Sequence, residues 1–259
     1  MTAGPVQMQV LAIPGIPRIV PGDDLSAVVI DAIEAAGISV SDGDILVVAQ
    51  KIVSKAEGRY VDLSTVTPSA RAMELASAAD KDPRVVELIL SESSEILRCA
   101  PGVIVVVHRL GHVLANAGID ASNVEPGPDG QERVLLLPVD PNAASAAMRE
   151  RFEAHFQRRI GVIISDSIGR AWRMGTVGTA LGVAGPPAVF DQIGTGDLFD
   201  RPLRTTVSAF ADQVASAAVL VMGEAAEGLP VVKVGGLDWD PVTSDGTLLL
   251  RPREKDLFR

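Results

Sequence analysis

The chain has 259 residues, of which 47% are hydrophobic, 22% charged and 3% aromatic, and its formal net charge is −10. This balance is typical of one large globular domain or two closely packed ones, and it excludes a mostly disordered chain, which would need low hydrophobicity. The negative charge argues against sequence-independent nucleic-acid binding, which needs a cationic face, and the single Cys99 excludes a disulfide framework or a thiolate metal cluster within one chain.

Short β-branched runs flanked by turn residues predict seven strands, in chain order 6–13, 45–49, 103–108, 134–137, 160–165, 231–234 and 247–250. Helical periodicity predicts five helices, at 25–36, 69–79, 84–92, 142–156 and 206–222. Asp24 is expected to cap the first helix and Gly37 to end it, while Pro83 separates the second from the third. The final helix is apolar on most faces, which predicts burial.

Helices and strands do not alternate regularly along the chain. This mixed order predicts an α+β (mixed α/β) fold made of two interwoven parts. The segment 124–133 contains Pro126, Pro128 and two glycines, which is typical of an exposed loop or an internal boundary. We treat 1–259 as a single functional unit.

Membrane and secretory segments are not evident in the sequence. The uncharged stretch 174–190 is broken by glycines and prolines, and 213–223 is shorter than the roughly 20 apolar residues of a spanning helix. The N-terminus has no basic region followed by an apolar block. We therefore expect a cytoplasmic protein that binds neither membrane nor nucleic acid.

Common catalytic motifs are missing from the sequence. It has no G-x-x-x-x-G-K-[ST] loop, no G-x-G-x-x-G after a strand, no G-x-S-x-G and no H-E-x-x-H. His108 and His112 are four residues apart, a spacing that would align two metal ligands on a helix. Their segment resembles a strand followed by a turn, which favours structural or solvent-facing histidines, and a buried, inert thiol is favoured for Cys99.

Polar residues instead gather where strands end and turns begin, which is where sites are commonly assembled. Residues 14–17 (Pro-Gly-Ile-Pro) suit a plain turn, or a backbone surface that lies against a nucleotide. The segment 51–59 directly follows a strand and holds two of the five lysines, Lys51 and Lys55. Ammonium groups there suit phosphate oxygens, although a solvated basic turn explains them equally well.

Two further clusters offer oxygen ligands. In 116–123, small residues surround Asp120, Asn116 and Asn123, which suits a hard cation, with an Asx-rich turn as the alternative. In 165–170, Asp166 and Ser167 end a buried strand and form a plausible ligand pair for Mg²⁺ or Mn²⁺. Nearby Arg170 and Arg173 add donors for a carboxylate or a phosphate.

A fifth cluster spans 222–230, at the end of the apolar helix. Gly228 suits a simple stop signal for that helix. Glu224 and Glu227, however, would lie where the helix dipole disfavours anions, and a bound cation would offset that penalty. Together the clusters predict a phosphate-bearing ligand bridged by divalent metal, which is the apparatus of phosphoryl transfer without a P-loop.

Four of these clusters resemble, in order and spacing, the motifs of the coenzyme F420-0:γ-glutamyl ligase family. They are 53–58, 116–124, 165–170 and 222–224, and the likeness extends over about 10–237. The resemblance implies an unusual α/β ligase fold, an intertwined homodimer, and attachment of L-glutamate to coenzyme F420-0 and then of further glutamates through γ-linkages. It implies GTP as co-substrate, with Mg²⁺ or Mn²⁺ (two per site) and K⁺ as cofactors. Some relatives carry a C-terminal nitroreductase-like domain, which is not expected here.

The resemblance also implies residue roles. Asp120 and Asp166 would hold one metal, Ser167 and Glu224 a second, and Lys55, Asp120 and Asp166 would be catalytic. The expected nucleotide contacts are Pro14, Gly15, Ile16, Pro17, Gln50, Lys51, Lys55, Asn123, Met222, Gly223, Glu224, Ala225, Ala226, Glu227, Gly228 and Leu229. Two departures stand out: Gln50 and Lys51 replace a pair of hydroxyl residues found in some relatives, and Ala225 and Ala226 replace glycines. Charge alone suggests Arg170 or Arg173 for the acceptor or for glutamate.

The implied chemistry begins when an acceptor carboxylate attacks the γ-phosphorus of GTP and forms an acyl phosphate, which the amine of glutamate then attacks. Three alternatives remain open from the residues. They are an amide ligase of the same fold acting on another small carboxylate, a nucleotide-binding protein without turnover, and a metal-dependent phosphohydrolase.

Overall fold

The computed structural model describes residues 6–127 and 130–257. Its strands are β1 (Gln9–Ala12), β2 (Asp44–Ala49), β3 (Tyr60–Asp62), β4 (Ser93–Ala100), β5 (Val103–His108), β6 (Val113–Ala115), β7 (Arg133–Leu135), β8 (Ile160–Arg170), β9 (Arg173–Ala184), β10 (Phe190–Asp191), β11 (Val207–Ser208) and β12 (Val231–Gly235). Its α-helices are α1 (Leu25–Ala35), α2 (Gln50–Ala56), α3 (Ala70–Ala79), α4 (Pro83–Ser91), α5 (Pro141–Phe156) and α6 (Phe210–Met222).

A five-stranded sheet of order β1-β12-β2-β8-β9 forms the centre of the larger part. Strands β2 and β8 pair in parallel, and the other pairs are antiparallel. Strand β2 and the first six residues of β8 are mostly apolar and buried because helices cover both faces of the sheet. Alternate residues of β2 therefore enter different cores: Leu46 and Val48 pack with α1, α2 and α5, whereas Ile45 and Val47 pack with α6.

Helix α6 approaches β9 closely because Gly178 has no side chain. A Cβ at this position would lie 2.6 Å from the carbonyl carbon of Ala215 on α6. The carboxylate of Asp212, also on α6, accepts a hydrogen bond from the Ala180 amide at 2.9 Å. The glycine and this hydrogen bond together fix the helix against the sheet.

The smaller part lies between α2 and α5 in the chain. It contains α3 and α4, a three-stranded antiparallel sheet of order β4-β5-β6, and the two-stranded pair β3-β7. Its cores form between the two helices and these strands. The mixed α+β class and the interleaving of two parts along the chain are therefore as predicted.

Several predicted elements differ from the structure. The predicted strand 247–250 is a 3₁₀ turn at Gly246–Leu249, and the helix predicted from 206 begins at Phe210 because Val207–Ser208 pairs with β10. Helix α2 and the strands β3, β4, β6, β9, β10 and β11 were not predicted. Glycines at 175, 178 and 182 interrupt the pattern of β9, and α2 is only 7 residues long.

Helix boundaries follow local chemistry. The Asp24 side chain caps α1 by accepting from the Ala27 amide, as predicted. The two helices predicted on either side of Pro83 are present, and Pro83 itself is the first residue of α4, behind the capping Asp82, where its fixed φ suits the first turn. Within the described ranges, no helix combines the length and the apolar character needed to cross a membrane.

Candidate active site

A cavity of about 790 Å³ opens at the carboxyl ends of the parallel strands β2 and β8. The segments that line it are 16–19, 49–52, 55, 114–116, 118–120, 122–125, 165–169, 176, 219 and 222–230. Its volume lies within the range usual for small-molecule sites. The fold thus brings residues of all five polar clusters to one cavity.

Asp120 is held in place on both sides. Its backbone pairs with Leu135 of β7, through two hydrogen bonds of 2.9 Å. One carboxylate oxygen accepts from Gln50 Nε2 at 2.6 Å, and the other lies 2.7 Å from Lys51 Nζ. Gln50 is oriented in turn by the Ser54 hydroxyl, which donates to its Oε1 at 3.0 Å. Helix α2, which was not predicted, therefore presents its first residues to this carboxylate.

The carboxylate of Asp166 faces the same region from β8. Burial, together with the charge of Asp120, raises the pKa of Asp166 to about 6, although Lys51 and Gln50 oppose the shift. Two neighbouring carboxylates with poor solvation form a place where a cation is favoured. Their hard oxygen donors fit Mg²⁺ or Mn²⁺.

Other features of the cavity also fit a hard cation. The Ser165 hydroxyl is buried and has no hydrogen-bond partner among the described residues. Within the same residues, no group of three or more His, Cys, Asp or Glu side chains could hold a metal. A cation at either predicted position would have at most two of these side chains as ligands, so waters or phosphate oxygens would have to complete its coordination.

A β-bulge lies beside Asp166, where β8 pairs with β9. The register between β8 and β9 shifts between Ile164 and Ser165, and the strand continues to Arg170 rather than ending near Ser165 as predicted. Bulges of this kind redirect side chains next to functional sites. The residues before the shift are buried core, whereas Asp166 and Ser167 line the cavity.

Ser167 and Glu224, predicted as a second ligand pair, are in direct contact. The Ser167 hydroxyl donates to Glu224 Oε1 at 2.9 Å, and the Thr176 hydroxyl donates to the same oxygen at 3.2 Å. Thr176 was not predicted because β9, which carries it, was not predicted. These contacts fix Glu224 just beyond the end of α6.

Lys55 is buried at the last turn of α2 and is bound by an acidic partner. Its Nζ lies 3.0 and 2.9 Å from the two oxygens of Glu125, and the Tyr60 hydroxyl donates to Glu125 at 2.8 Å. Burial raises the pKa of Glu125, but the hydrogen bonds from Lys55 and Tyr60 outweigh it and lower this pKa. Burial and Glu125 together raise the pKa of Tyr60. A solvated basic turn, the alternative for this cluster, is therefore wrong.

Asn123 reaches across to the loop that follows α6. Its Nδ2 donates to the Ala225 carbonyl at 2.9 Å. Within that loop the Ala225 amide donates to Glu227 at 2.8 Å. The Glu227 side chain folds over Gly223, whose φ of +75° suits glycine. All of the expected contacts at 222–229 line the cavity.

Four predicted site residues do not line the cavity. They are Pro14 and Gly15, whose neighbours Ile16 and Pro17 do line it, and Arg170 and Arg173, which pair at the exposed end of the β8–β9 hairpin. In the predicted loop 124–133, residues 128 and 129 lie outside the described part, and residues 124 and 125 line the cavity.

The histidines and the cysteine lie outside the cavity wall. His108 and His112 are buried, and His108 Nδ1 accepts from the Leu110 amide at 3.0 Å, so the expectation of structural histidines is confirmed. Cys99, expected to be buried, is partly exposed and lies on β4.

Glu125, which lines the cavity, and Tyr60, which donates to it, were not predicted as site residues. Glu125 follows the 116–124 motif directly, in a segment predicted as a loop, and that adjacency was the only signal for it. Tyr60 follows the 53–58 motif, but its contact with Glu125 joins residues that are 65 positions apart.

Comparison with known proteins agrees with the resemblance seen in the motifs. A family model described as F420-0:Gamma-glutamyl ligase matches residues 15–236. A protein of Methanothermobacter thermautotrophicus named Coenzyme F420:L-glutamate ligase is 44% identical over 254 residues, which cover 97% of this chain and 99% of that protein. Proteins of the same name from Methanocaldococcus jannaschii (43% identical; 85% and 86% covered) and Archaeoglobus fulgidus (40% identical; 98% and 97% covered) are also similar. The chain therefore belongs to the F420-0:gamma-glutamyl ligase family.

Proposed function

We propose that this protein is a GTP-dependent ligase of coenzyme F420 biosynthesis, which attaches L-glutamate to coenzyme F420-0 and extends it through γ-glutamyl linkages. Family membership and the names of the relatives support the substrates. The observation that carries the proposal is the single cavity into which the fold brings Lys51, Lys55, Asp120 and Asp166. Lysines beside paired carboxylates suit phosphoryl transfer, which depends on positioning and charge stabilisation.

The proposed nucleotide site lies along α2 and the two loops that meet through Asn123 and Ala225. The phosphates are proposed to face Gln50, Lys51 and Lys55. The rest of GTP is proposed to contact the segment 222–229, Ile16 and Pro17. The buried ammonium of Lys55 is paired with Glu125, so phosphate oxygens would bind it in place of or beside that carboxylate, in a region of low solvent exposure where charges interact more strongly than in water.

Two cation positions are part of the proposal. One Mg²⁺ or Mn²⁺ would be held by Asp120 and Asp166, and a second would be held by Ser167 and Glu224. The proposal includes K⁺ on the family resemblance alone. Bound divalent cations would supply charge neutralisation at the phosphoryl oxygens. The raised pKa of Asp166 and the unpartnered Ser165 hydroxyl support a cation in this part of the cavity.

The proposed reaction has two steps. First, a carboxylate oxygen of the acceptor bonds to the γ-phosphorus of GTP while the bond to the β–γ bridging oxygen breaks, which gives an acyl phosphate and GDP. Next, the glutamate amine attacks the acyl carbon, loses a proton, and expels inorganic phosphate as the amide forms. Lys51 and Lys55, which line the cavity, would bind the phosphoryl oxygens.

A homodimer is also part of the proposal. Met174, Leu198 and Phe199 are 95%, 97% and 76% exposed in the region that begins at the β8–β9 hairpin. Exposed apolar side chains of this size are typical of protein interfaces. Light scattering coupled to size exclusion tests this: a mass near twice 27.1 kDa supports the dimer and a mass near 27.1 kDa contradicts it.

Mass spectrometry tests the activity. Purified protein is incubated with coenzyme F420-0, L-glutamate, GTP, Mn²⁺ and K⁺, and a product heavier by one or more glutamyl units, formed only with GTP, is expected. GTP binding without any mass shift would favour a different carboxylate acceptor or a protein without turnover. Phosphate release that does not depend on glutamate would identify a phosphohydrolase.

A further inference from the structure

Lys51 occupies an unusual position for a residue expected to bind phosphate. Its ammonium lies 2.7 Å from Asp120 Oδ1, and the partly buried side chains of both residues are 27% and 20% exposed. The second oxygen of Asp120 accepts from Gln50 at 2.6 Å. Both oxygens of this prospective metal ligand therefore already have protein donors.

A divalent cation at Asp120 would affect its two hydrogen-bond donors, Gln50 and Lys51, differently. Gln50 donates through a neutral amide, which Ser54 holds in place. Lys51 carries a full positive charge, which a cation bound to Asp120 and Asp166 would repel strongly at short range. Because Lys51 has a flexible four-carbon stem, it is the donor that can move away.

We propose that Lys51 is an internal competitor for the cation at Asp120, and that cation binding transfers its ammonium from Asp120 to the nucleotide phosphates. The inference rests on the proposed function for the placement of nucleotide and metal in this cavity. It assigns Lys51 a role that neither the motif nor the family name contains, since its ammonium neutralises Asp120 beside Asp166 before it binds phosphate.

This arrangement couples the two ligands. With the cation absent, moving Lys51 to phosphate would leave Asp120 and Asp166 facing each other without a counter-charge. With the cation present, the Lys51 ammonium is free for phosphate. Cation and nucleotide each then increase the affinity for the other by the same factor, because binding free energies are reciprocal.

Lys55 provides a matched control on the same helix. It is one turn from Lys51 and also lines the cavity, but its ammonium contacts Glu125 and not Asp120. Lys55→Met and Lys51→Met each remove one positive charge from the cavity. Only Lys51→Met removes the ammonium that competes for Asp120.

Isothermal titration calorimetry with Mn²⁺ alone tests the competition, on nucleotide-free protein whose fold is checked by circular dichroism. We expect Lys51→Met to bind Mn²⁺ about tenfold more tightly than wild type, within the usual range of coupling between ligands. Lys55→Met should change the affinity much less. Unchanged or weaker Mn²⁺ binding by Lys51→Met would overturn the proposal. If Lys51→Met fails to fold, Lys51→Gln, which keeps a neutral donor, serves as the test.

Titration with GDP, with and without Mn²⁺, tests the transfer of the ammonium. In wild type we expect Mn²⁺ to strengthen GDP binding, and in Lys51→Met we expect this gain to be several-fold smaller. An equal gain in both proteins would contradict the transfer. If Mn²⁺ affinity responds as expected but no protein binds GDP, the proposed function fails while the competition stands. If wild type forms product and Mn²⁺ affinity is unchanged in Lys51→Met, the inference alone fails.

Discussion

The ammonium of Lys55 contacts both carboxylate oxygens of Glu125, although the two residues are 70 positions apart in the chain. The contact joins α2, in the larger part, to a loop that belongs to the smaller part. Because Lys55 is buried, its charge depends on this partner.

Glu125→Ala should therefore destabilise the protein. The change leaves a buried ammonium without its counter-charge and the Tyr60 hydroxyl without its acceptor, at an expected cost of about 1–3 kcal/mol in the free energy of unfolding. Urea denaturation measures this cost. Glu125→Gln keeps an acceptor for both donors and should cost less, and equal losses for the two variants would show that the retained acceptor contributes nothing beyond the charge of Glu125.

Asp166→Asn should abolish turnover without loss of fold. The carboxylate is a proposed cation ligand, and we expect product formation to fall by at least about a hundredfold, as for other catalytic carboxylate changes. Since burial and Asp120 raise the pKa of Asp166, ionisation of this group destabilises the folded state above pH 6. The variant should thus melt at the same temperature as wild type or higher at pH 8. A fully active variant would remove Asp166 from the site.

The buried Glu92 should make stability depend on acid pH. Its Oε2 lies 2.9 Å from Arg59 Nη2 and 3.0 Å from Arg109 Nε, and His108 lies at 3.4 Å. Burial raises the pKa of Glu92, but His108, Arg109 and Arg59 outweigh it and bring this pKa to about 2. The carboxylate therefore stabilises the folded state above pH 4.5, and this contribution is lost as pH falls towards 2.

Comparison of wild type with Glu92→Gln checks this window. At pH 7 we expect a difference of about 3 kcal/mol in the free energy of unfolding, and it should shrink steadily between pH 4.5 and pH 2. Urea denaturation at four or five pH values measures the trend. A difference that stays constant with pH would mean that the variant acts through packing rather than through the charge of Glu92.

Gly178→Ala should loosen the contact between α6 and β9. The added methyl group would lie 2.6 Å from the carbonyl carbon of Ala215, so the backbone of the helix must shift, at a cost of about 1–3 kcal/mol. Gly169→Ala, on the neighbouring strand, adds the same methyl group where nothing lies within 4 Å. Thermal unfolding of the two variants should separate them, and equal melting temperatures would show that α6 accommodates the methyl group freely.

Sequence patterns predicted the helices and strands whose determining interactions lie within a few residues of the chain. The apolar runs of β2, β5 and β8 and the capped helix α1 were found because burial and capping act over a few residues. Strand β9 was missed because close approach to α6 requires Gly178, which weakens the strand pattern. Asp120, Asp166, Ser167 and Glu224 were found from residue type at element ends and from the family motifs, and the fold brings them to one cavity. Glu125 and Thr176 were not found, because their partners are distant in the chain.

The placement of the cavity between the two parts has a consequence for local opening of the molecule. Asp120 and Glu125 come from the smaller part, whereas Lys51 and Lys55 come from the larger one. Partial opening of the smaller part would therefore separate the cavity walls even while the five-stranded sheet stays intact. Any ligand that touches both walls must slow amide hydrogen exchange in strands β4 and β5, which it does not contact, because their opening then requires its release.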